Sequence, residues 1–457
     1  MPSIHDFVTW EPLLRLLWAG NQETVDAPGG HLAGNIGHGG WSLPLPQRFP
    51  PPDQVLLVDE KVDEAVRRVL SALTDIGLDD ISFVAEISPT GTTTLHLLTA
   101  GVAVDGGSGP YPGALVLIEG AVAEPWRRPP NPTPGAVPAR SADPALLERT
   151  LRERIPDAIG ATDAEIAAAE ARLGIALPDE LTALYRVTRA RWQDWADDDA
   201  AARRVSDAVG LLPLSLDTLS IADASSRPCP WEFAAMEAVV TPPDAAVQGL
   251  VGSPGWIMFA ADDYGDQYAV DLTPGPRGHR GQIITLSHEL DIGAALIADS
   301  LTDLVVHRRE SEHPDHEEDR SPVVAHVNRR SLTSVEAAAH PDLEVLSIGD
   351  WDSAPLSLAA VTGLPRLRTL AADHGTLADP LEIAELTGLE FLELAPEEWR
   401  ILLDAGKVPR SLSAAAIKAH RPRHPLPIVA IANELLTLWE RPPIVRRIVE
   451  GHLTPEV

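Results

Sequence analysis

Apolar and polar residues follow patterns typical of a small α+β domain in residues 1–124. Trp10–Ala19 and Asp59–Ile76 have apolar residues at the spacing of amphipathic helices. The Gly- and His-rich stretch Gly29–Gly40, which lies between these helices, predicts an irregular, flexible segment. The segments that we predict as strands are Val55–Val58, Ile81–Ile87, Thr92–Ala100 and Ala114–Glu119.

The middle of the chain predicts two helices, three strands and a closing helix. Thr162 followed by Glu165 is the signature of a capping box, and Gly174 is placed to end the helix that it opens. Pro178 opens a second helix, Asp179 to about Trp195, because proline is favoured in the first helical turn. The expected strands are Trp256–Ala260, Gln267–Leu272 and Gln282–Leu286, and the expected closing helix is Ile292–Val306.

An internal repeat follows near the carboxyl end. Asp342–Ile348, Arg366–Ala372 and Gly388–Leu394 align with one another at spacings of 24 and 22 residues. Their shared pattern, L-x-x-L-x-(L/I/A), and their spacing resemble leucine-rich repeats, in which each strand needs a neighbour to bury its leucines. We expect a short α/β array that is closed by helices at Ile428–Trp439 and Ile444–Val449.

Two stretches of unusual composition divide the chain into three predicted domains. One is rich in proline, which favours an extended spacer, and the other is rich in charges of both signs. The predicted class is α+β, with a small α+β domain, a central domain of antiparallel sheet and packed helices, and a leucine-rich-repeat-like α/β array. The domains are 1–124, 145–306 and 331–457, and the linkers are 125–144 and 307–330.

The charge of the chain limits its partners. The net charge is −31 and the pI about 4.7, so the protein repels phosphate backbones and anionic lipids and attracts basic partners. The same charge also keeps a protein soluble. Cys229 is the single cysteine, which fits a reducing compartment. Because we find neither a signal-peptide pattern nor an apolar run of membrane-spanning length, we expect a cytoplasmic protein.

Two clusters are candidate partner-binding sites. Trp192 and Trp195 lie near Asp198, and exposed aromatic residues among acids would form a hot spot for a basic partner. The alternative is that both tryptophans belong to the core and the acids form a solvated face.

The second cluster consists of Asp262, Asp263 and Asp266. These carboxylates suit a structural turn, an acidic edge that contacts a partner, or a metal site. Their spacing departs from that of a calcium loop, so we expect the turn. We predict no catalytic residues, cofactor or metal, since Cys229 lies in a Pro-flanked loop and the glycine-rich segments lack phosphate-binding and nucleophile motifs.

Two segments resemble the SMI1/KNR4 (SUKH) family over about residues 160–306. Glu170–Tyr185 is similar to the family's opening, E-x-x-L-G, then L-P, an acidic pair and a helix with L-Y. Trp256–Leu272 is similar to its strand–turn–strand, roughly I-x-F-A-x-(D/N)-x-x-G-D-x-Y-x-x-D. Many relatives have an Asn-Gly-type turn where this chain has Val187–Ala190, so we expect a longer second helix. The structural residues of the motifs are Leu173, Gly174, Leu177, Pro178, Tyr185, Gly265 and Asp271.

The resemblance implies a non-catalytic protein that binds another protein. Bacterial members of the family are often immunity proteins that block toxins, many of them nucleases, and fungal relatives act in cell-wall signalling. The leading hypothesis is an immunity-type protein that binds a basic toxin domain. The alternatives are a general scaffold or regulator without a toxin partner, and an enzyme whose activity lies in residues 1–124, where no catalytic motif is found.

Overall fold

The computed structural model describes residues 3–45, 52–105, 111–195, 199–262, 264–308, 322–419 and 423–454, with the backbone alone for 52–59. The chain forms two compact units. The first combines residues 1–121 with 325–457, and the second is 122–324. The mixture of helices and largely antiparallel sheets confirms the predicted α+β class.

In its described residues, the amino-terminal part of the first unit contributes three helices and six strands. The helices are α1 (Phe7–Gly20), α2 (Gln22–Asp26) and α3 (Pro52–Ile76). The strands are β1 (Leu32–Gly37), β2 (Gly40–Ser42), β3 (Asp80–Ile87), β4 (Thr92–Thr99), β5 (Val104–Asp105) and β6 (Leu115–Leu117).

The second unit contains six helices and six strands among its described residues. The helices are α4 (Glu124–Arg127), α5 (Pro144–Arg154), α6 (Asp163–Leu173), α7 (Asp179–Val187), α8 (Asp199–Val209) and α9 (Trp231–Ala234). The strands are β7 (Leu212–Pro213), β8 (Ser220–Ile221), β9 (Trp256–Ala261), β10 (Gln267–Asp271), β11 (Gln282–Leu286) and β12 (Ala295–Ala298). Short 3-10 turns occur at Trp192–Trp195 and Ala224–Ser226, and a π turn at Asp303–His307.

The carboxyl-terminal part completes the first unit. Its strands are β13 (Val324–Val327), β14 (Val345–Ile348), β15 (Thr369–Ala372), β16 (Phe391–Leu394), β17 (Ala414–Ile417) and β18 (Val445–His452). Its helices are α10 (Val335–Ala338), α11 (Pro396–Asp404) and α12 (Pro425–Leu438), with 3-10 turns at Ala359–Val361 and Pro380–Glu385.

The ends of the chain share one unit, whereas the sequence suggested two separate domains, 1–124 and 331–457. The last strand, β18, pairs with β4 along its whole length and forms the edge of a five-stranded sheet, in the order β18-β4-β3-β1-β2. In addition, β6 pairs with β17 and extends a seven-stranded sheet. The division was wrong because these pairings join segments that are far apart in sequence and carry no local signal.

Each of the three aligned repeat segments contains one strand of a parallel ladder, β14, β15 and β16. Leu346, Leu370 and Leu392 occupy equivalent positions in adjacent strands and are fully buried. A fourth parallel strand, β17, which the repeat pattern missed, places Ala415 next in the same row. Leu412 and Ile417 fit the repeat pattern, but alanine replaces its second leucine at position 415, and this hides the fourth copy from a leucine-based pattern.

The second unit is built on a six-stranded sheet whose main path is β12-β11-β10-β9-β7. One face packs on α5, α7 and α8, and its core includes Leu151, Leu184, Tyr185 and Phe259. The other face carries Trp256, which packs in a smaller cluster formed with the loops before β9. Both faces of the sheet are therefore covered.

The Pro-rich segment 125–144 packs on the central domain, whereas the sequence predicted an extended spacer. The Asn131 N–H donates to Gln248 Oε1 and the Gln248 amide donates back to the Asn131 carbonyl, both at 2.8 Å. The Thr133 hydroxyl donates to the Pro274 carbonyl at 2.8 Å. Between α4 and α5 the prolines disfavour helix and strand, but they leave backbone groups free to bond to a neighbouring surface.

Three other local predictions for the first unit were wrong. Gly29–Gly40 contains β1 and the start of β2, because the lack of a side chain at Gly34 and Gly37 lets neighbouring groups approach. Val55–Val58 lies in α3, and a short apolar run does not distinguish strand from helix. Ile444–Val449 lies mostly in β18, where pairing with β4 decides the conformation.

Two predicted helices of the central domain also differ. The second helix ends at Val187 and not near Trp195, since Thr188 is extended. Within Ile292–Val306, the segment Ala295–Ala298 pairs with β11 as a strand and a π turn follows. The spacing of the apolar residues favours a helix, but hydrogen bonding to the free edge of β11 favours a strand and decides the conformation. Most of the predicted linker 307–330 lies outside the described residues, and its end forms β13.

Within the described ranges, no helix combines the length and the apolar character that crossing a membrane requires.

Candidate protein-binding surface of the central domain

The opening motif of the central domain builds a helical hairpin. The Thr162 hydroxyl accepts the Glu165 N–H, and the Glu165 carboxylate accepts the Thr162 N–H, which confirms the capping box. Gly174 ends this helix in the left-handed conformation, with φ of 71°. The Leu177 N–H then donates to Glu170 Oε1 at 2.8 Å, which fixes the turn between the two helices.

Residues on both sides of this turn pack in the core. Leu173 is half-buried, Leu177 is buried, and Pro178 stands immediately before the first residue of α7. Tyr185 is fully buried and its hydroxyl donates to the Leu214 carbonyl at 2.9 Å. Burial raises the pKa of Tyr185, since the phenolate would lose its hydration. This residue is therefore a packing residue with a satisfied polar end.

The Glu180 side chain connects α7 with the segment just before the π turn at the end of the domain. Its carboxylate accepts the N–H groups of Leu301, at 3.1 Å, and Thr302, at 2.9 Å, together with the Thr302 hydroxyl. Burial raises the pKa of Glu180, although these bonds oppose the effect. The second acid of the family's acidic pair is thus a structural anchor for the closing π turn.

Replacement of Glu180 by alanine is expected to lower the stability of the central domain by about 2 kcal/mol, because two partly buried N–H groups lose their acceptor. Chemical denaturation of the full chain, followed by hydrogen exchange in residues 299–307, measures the effect. Asp179→Ala is the matched control, since Asp179 is exposed and accepts no hydrogen bond from the π turn. Equal losses in both variants would contradict the anchoring role.

Asp271 is the centre of a buried hydrogen-bond network. Its Oδ1 accepts the Trp256 indole N–H at 3.0 Å and the Thr273 N–H at 2.8 Å, and its Oδ2 accepts the Gln282 amide at 2.9 Å. Asp271 is fully buried, and burial raises its pKa from 3.8 to about 6. The last acid of the family's strand–turn–strand therefore connects β9, β10 and β11.

The hairpin between β9 and β10 is organised by Asp262. Its Oδ1 accepts the N–H groups of Tyr264, at 2.9 Å, and Asp266, at 3.0 Å, while its Oδ2 accepts the Tyr268 hydroxyl. Gly265 has φ of 100°, a conformation that side chains disfavour. The Asp262 carboxylate thus has the hydrogen-bond pattern of the structural turn among the three alternatives considered. Asp263 lies outside the described residues.

Asp266 connects the same turn to the end of β11. Its Oδ1 accepts the His288 N–H at 3.0 Å and lies 2.7 Å from His288 Nδ1. The two His288 contacts lower the pKa of Asp266, and the hydrogen bond to Asp266 raises the pKa of His288. The Tyr264 side chain, by contrast, projects from the hairpin with 84% of its surface exposed. Tyr264 was not among the predicted site residues, although its place in the D-D-Y-G-D turn is a signal.

The chain leaves α7 in a tight turn rather than continuing as helix. Ala190 has φ of 52°, a left-handed conformation that Asn and Gly adopt more readily. The turn is held because the Arg189 N–H donates to the Ile159 carbonyl and the Leu216 N–H donates to the Arg189 carbonyl. This geometry is compatible with the Asn-Gly-type turn noted in relatives, even though the residues differ.

A network of ion pairs braces this turn. Arg189 contacts Asp194 at 2.6 Å and Glu165 at 3.1 Å, while Arg191 contacts Asp217 at 2.7 Å and Glu165 at 3.1 Å. Bonds from Thr162 lower the pKa of Glu165 to about 2, and the Arg189 hydrogen bond lowers that of Asp194. The network carries no signal in the sequence, because its members come from separate helices and loops.

The turn presents the two tryptophans differently. Trp192 is 45% exposed, whereas Trp195 is half-buried and packs against the core of the domain. Their ring centroids are 5.8 Å apart with an interplanar angle of 80°, an edge-to-face contact. Trp195 thus belongs to the core, while Trp192 is exposed and its role in binding stays a prediction. Asp198 lies outside the described residues.

The predicted site residues form two separate features. Among the described residues, no hydrogen bond, ion pair or ring contact connects the Trp192–Trp195 pair with Asp262 or Asp266. The first feature is an exposed aromatic residue on a turn that ion pairs stabilise. The second is a hairpin whose acidic side chains form hydrogen bonds that stabilise the hairpin itself. Both features expose an aromatic side chain, Trp192 on the turn and Tyr264 on the hairpin.

One side-chain group in the described part of the chain has the composition of a metal site, His374 with Glu397 and Glu398 in the first unit. These side chains have other partners. Arg423 pairs with Glu397 at 2.7 Å, and Glu398 accepts the Gly375 N–H at 2.9 Å. Through these contacts, the three side chains connect the segment after β15 with the segment after β16.

The comparison with known families decides the nature of the central domain. Residues 160–306 match the SMI1 / KNR4 family (SUKH-1). These residues form an SMI1/KNR4 domain. The predicted resemblance is confirmed over the range in which its two motifs were found.

Curated relatives match parts of this SMI1/KNR4-containing chain. The Glucan synthesis regulatory protein of Neurospora crassa is 32% identical over 107 residues, 22% of this chain and 19% of that protein. KNR4/SMI1 homolog 2 of Debaryomyces hansenii is 47% identical over 49 residues, 11% of this chain and 8% of that protein. The Cell wall assembly regulator SMI1 of Saccharomyces cerevisiae is 43% identical over 49 residues, 11% of this chain and 10% of that protein. The chain thus spans less than a fifth of these relatives' length, and two of them are named as regulators.

Proposed function

We propose that this chain is a non-catalytic, cytoplasmic protein of the immunity type, whose SMI1/KNR4 domain binds a basic toxin domain, such as a nuclease, and blocks it. The observation that carries the proposal is the exposed Trp192 on the turn that follows α7. Tryptophan is enriched among the few residues that dominate binding energy at protein interfaces.

The rigidity of the turn supports a binding role. Arg189 and Arg191 are held by three carboxylates, and the edge-to-face contact with Trp195 limits the motion of the Trp192 ring. A side chain that is already ordered loses less conformational entropy on binding. The turn therefore presents an apolar side chain that is already ordered before a partner binds.

The charge of the chain supports a basic partner. Asp and Glu together number 67 and Lys and Arg 36, so the field attracts a cationic domain from a distance. Such attraction accelerates encounter and selects against acidic partners, while the apolar anchor slows dissociation. We propose that inhibition is steric, with the SMI1/KNR4 domain covering the active site of the toxin.

A second candidate is a regulator or scaffold without a toxin partner. The names of the relatives favour it, since they describe a glucan synthesis regulatory protein and a cell wall assembly regulator. The parallel strands β14–β17 would, as a leucine-rich-repeat-like array, suit this role, because such arrays are commonly binding surfaces. In this version, the same turn binds a cellular protein.

Co-expression separates the two candidates. The chain is expressed together with each toxin domain encoded next to its gene, and growth is compared with that of cells that express the toxin alone. Restored growth, together with a stable complex of the purified proteins, is expected for the immunity role. Absence of rescue by the wild-type chain with every neighbouring toxin would contradict that role and leave the regulator.

A further inference from the structure

A groove of about 830 Å³ lies between α1 and α3 in the first unit. On α3, it is lined by Lys61, Glu64, Ala65 and Arg68. These positions are i, i+3, i+4 and i+7, so they form one face of the helix. The groove therefore follows the length of two helical turns.

The opposite wall is largely apolar. Pro12, Leu16 and Ala19 of α1 line it, and Ala65 is the buried residue on the α3 side. Small side chains at Ala19 and Ala65 leave space between the helices. Eight residues separate Glu11 from Ala19, so the groove runs about 12 Å along α1 at the rise of an α-helix.

The charges on the rim are unevenly paired. Arg15 is held by Glu11 at 2.6 Å and by the Thr454 carbonyl at 3.0 Å. Lys61 and Arg68, in contrast, have no ion pair or hydrogen-bond acceptor among the residues whose side chains the structure describes. With Glu64 between them, these two cations give the α3 face of the groove a net positive charge in a chain that is strongly acidic.

We infer that this groove binds a small amphipathic anion. A carboxylate, or another acidic head group of similar size, contacts Lys61 and Arg68, while an unbranched apolar chain lies along Ala65, Leu16 and Ala19. The volume is within the range of about 300–1,000 Å³ found for small-molecule sites, and the mixture of an apolar floor with a few charged groups is typical of them. The inference is independent of the function proposed for the SMI1/KNR4 domain.

Three probes with the same chain test the requirement for an anionic head. Isothermal titration calorimetry of the full chain compares decanoate, decanol and decyltrimethylammonium. Decanoate is expected to bind at least 10-fold more tightly than the other two. Equal affinities for all three would overturn the proposal, because the groove would then be an unselective apolar cleft, and so would the absence of decanoate binding.

Variants locate the site. The double substitution Lys61→Ala and Arg68→Ala is expected to weaken decanoate binding at least 10-fold, whereas Glu64→Gln, which removes the negative charge between them, strengthens it severalfold. The matched control is Arg67→Ala, because Arg67 is on the same helix, outside the groove, and donates to the Asp63 carbonyl. An equal loss in the Arg67 variant, or unchanged binding in the double variant, would overturn the assignment. Thermal unfolding confirms that each variant is folded.

Discussion

Replacement of Asp271 by alanine is expected to lower the stability of the SMI1/KNR4 domain by about 4 kcal/mol. The variant leaves the Trp256 indole, the Thr273 N–H and the Gln282 amide without their acceptor. Trp256 and Gln282 are fully buried, so water does not compensate for the acceptor that they lose, whereas Thr273 is only half-buried. The large effect follows from the number of donors that depend on one carboxylate.

Hydrogen exchange measured by mass spectrometry isolates the effect within a chain of two compact units. Protection of β9, β10 and β11 is expected to fall roughly a thousandfold in Asp271→Ala, while peptides from β14–β16 remain unchanged. Asp266→Ala is the control, because that carboxylate is partly exposed and its loss affects only the hairpin and His288. A loss confined to the hairpin in both variants would contradict the central role of Asp271.

The same residue predicts a dependence on pH. The folded domain retains the Asp271 proton up to about pH 6, whereas the unfolded chain releases it near the ordinary value of 3.8. Raising the pH through this window therefore disfavours the folded state by about 3 kcal/mol in total. Asp271→Asn removes this contribution, so its stability relative to wild type should rise between about pH 4 and pH 6. A constant difference across the window would contradict the raised pKa.

Replacement of Trp192 by alanine is expected to weaken binding of the protein partner by about 3 kcal/mol, or roughly 150-fold. The indole is already exposed and ordered in the free domain, so its removal takes contact area from the interface without opening the core. Surface plasmon resonance with the partner identified by co-expression gives the affinity. The loss should appear mainly as faster dissociation, since the long-range charge is unchanged.

Trp41→Ala is a matched control for this experiment. Trp41 is 42% exposed, close to the 45% of Trp192, but it belongs to the five-stranded sheet of the first unit. We expect the Trp41 variant to bind like wild type. Comparable losses in the two variants, or full affinity in the Trp192 variant, would exclude the turn after α7 as the centre of the interface.

The candidate surface was only partly predictable from the sequence. Trp192 and Trp195 could be singled out as aromatic residues among acids, but their orientation depended on the end of α7. A continuing helix would have placed both on one face, whereas the turn at Ala190 leaves one ring exposed and packs the other. The ion-pair network as a whole showed no signal, because Glu165 and Asp217 are distant in sequence from Arg189 and Arg191.

Local interactions allowed the sequence by itself to determine the main elements of the SMI1/KNR4 domain. The Thr162–Glu165 capping box, the glycine that ends α6 and the proline before α7 act within a few residues, and their signals are readable in isolation. The apolar run of β9 and the segment of β10 lie on either side of Gly265, whose φ of 100° favours glycine. For the same reason, the family motifs were recognisable within these segments.

Only the tertiary structure decided which distant segments share a core. The pairing of β18 with β4 turns a predicted helix into a strand and joins the two ends of the chain in one unit. Pairing with β11 likewise makes a strand of Ala295–Ala298. Any strand edge that the fold brings near can satisfy these backbone hydrogen bonds, so the side chains of a segment do not specify its partner. The pairing then decides the conformation, even where the local sequence favours a helix.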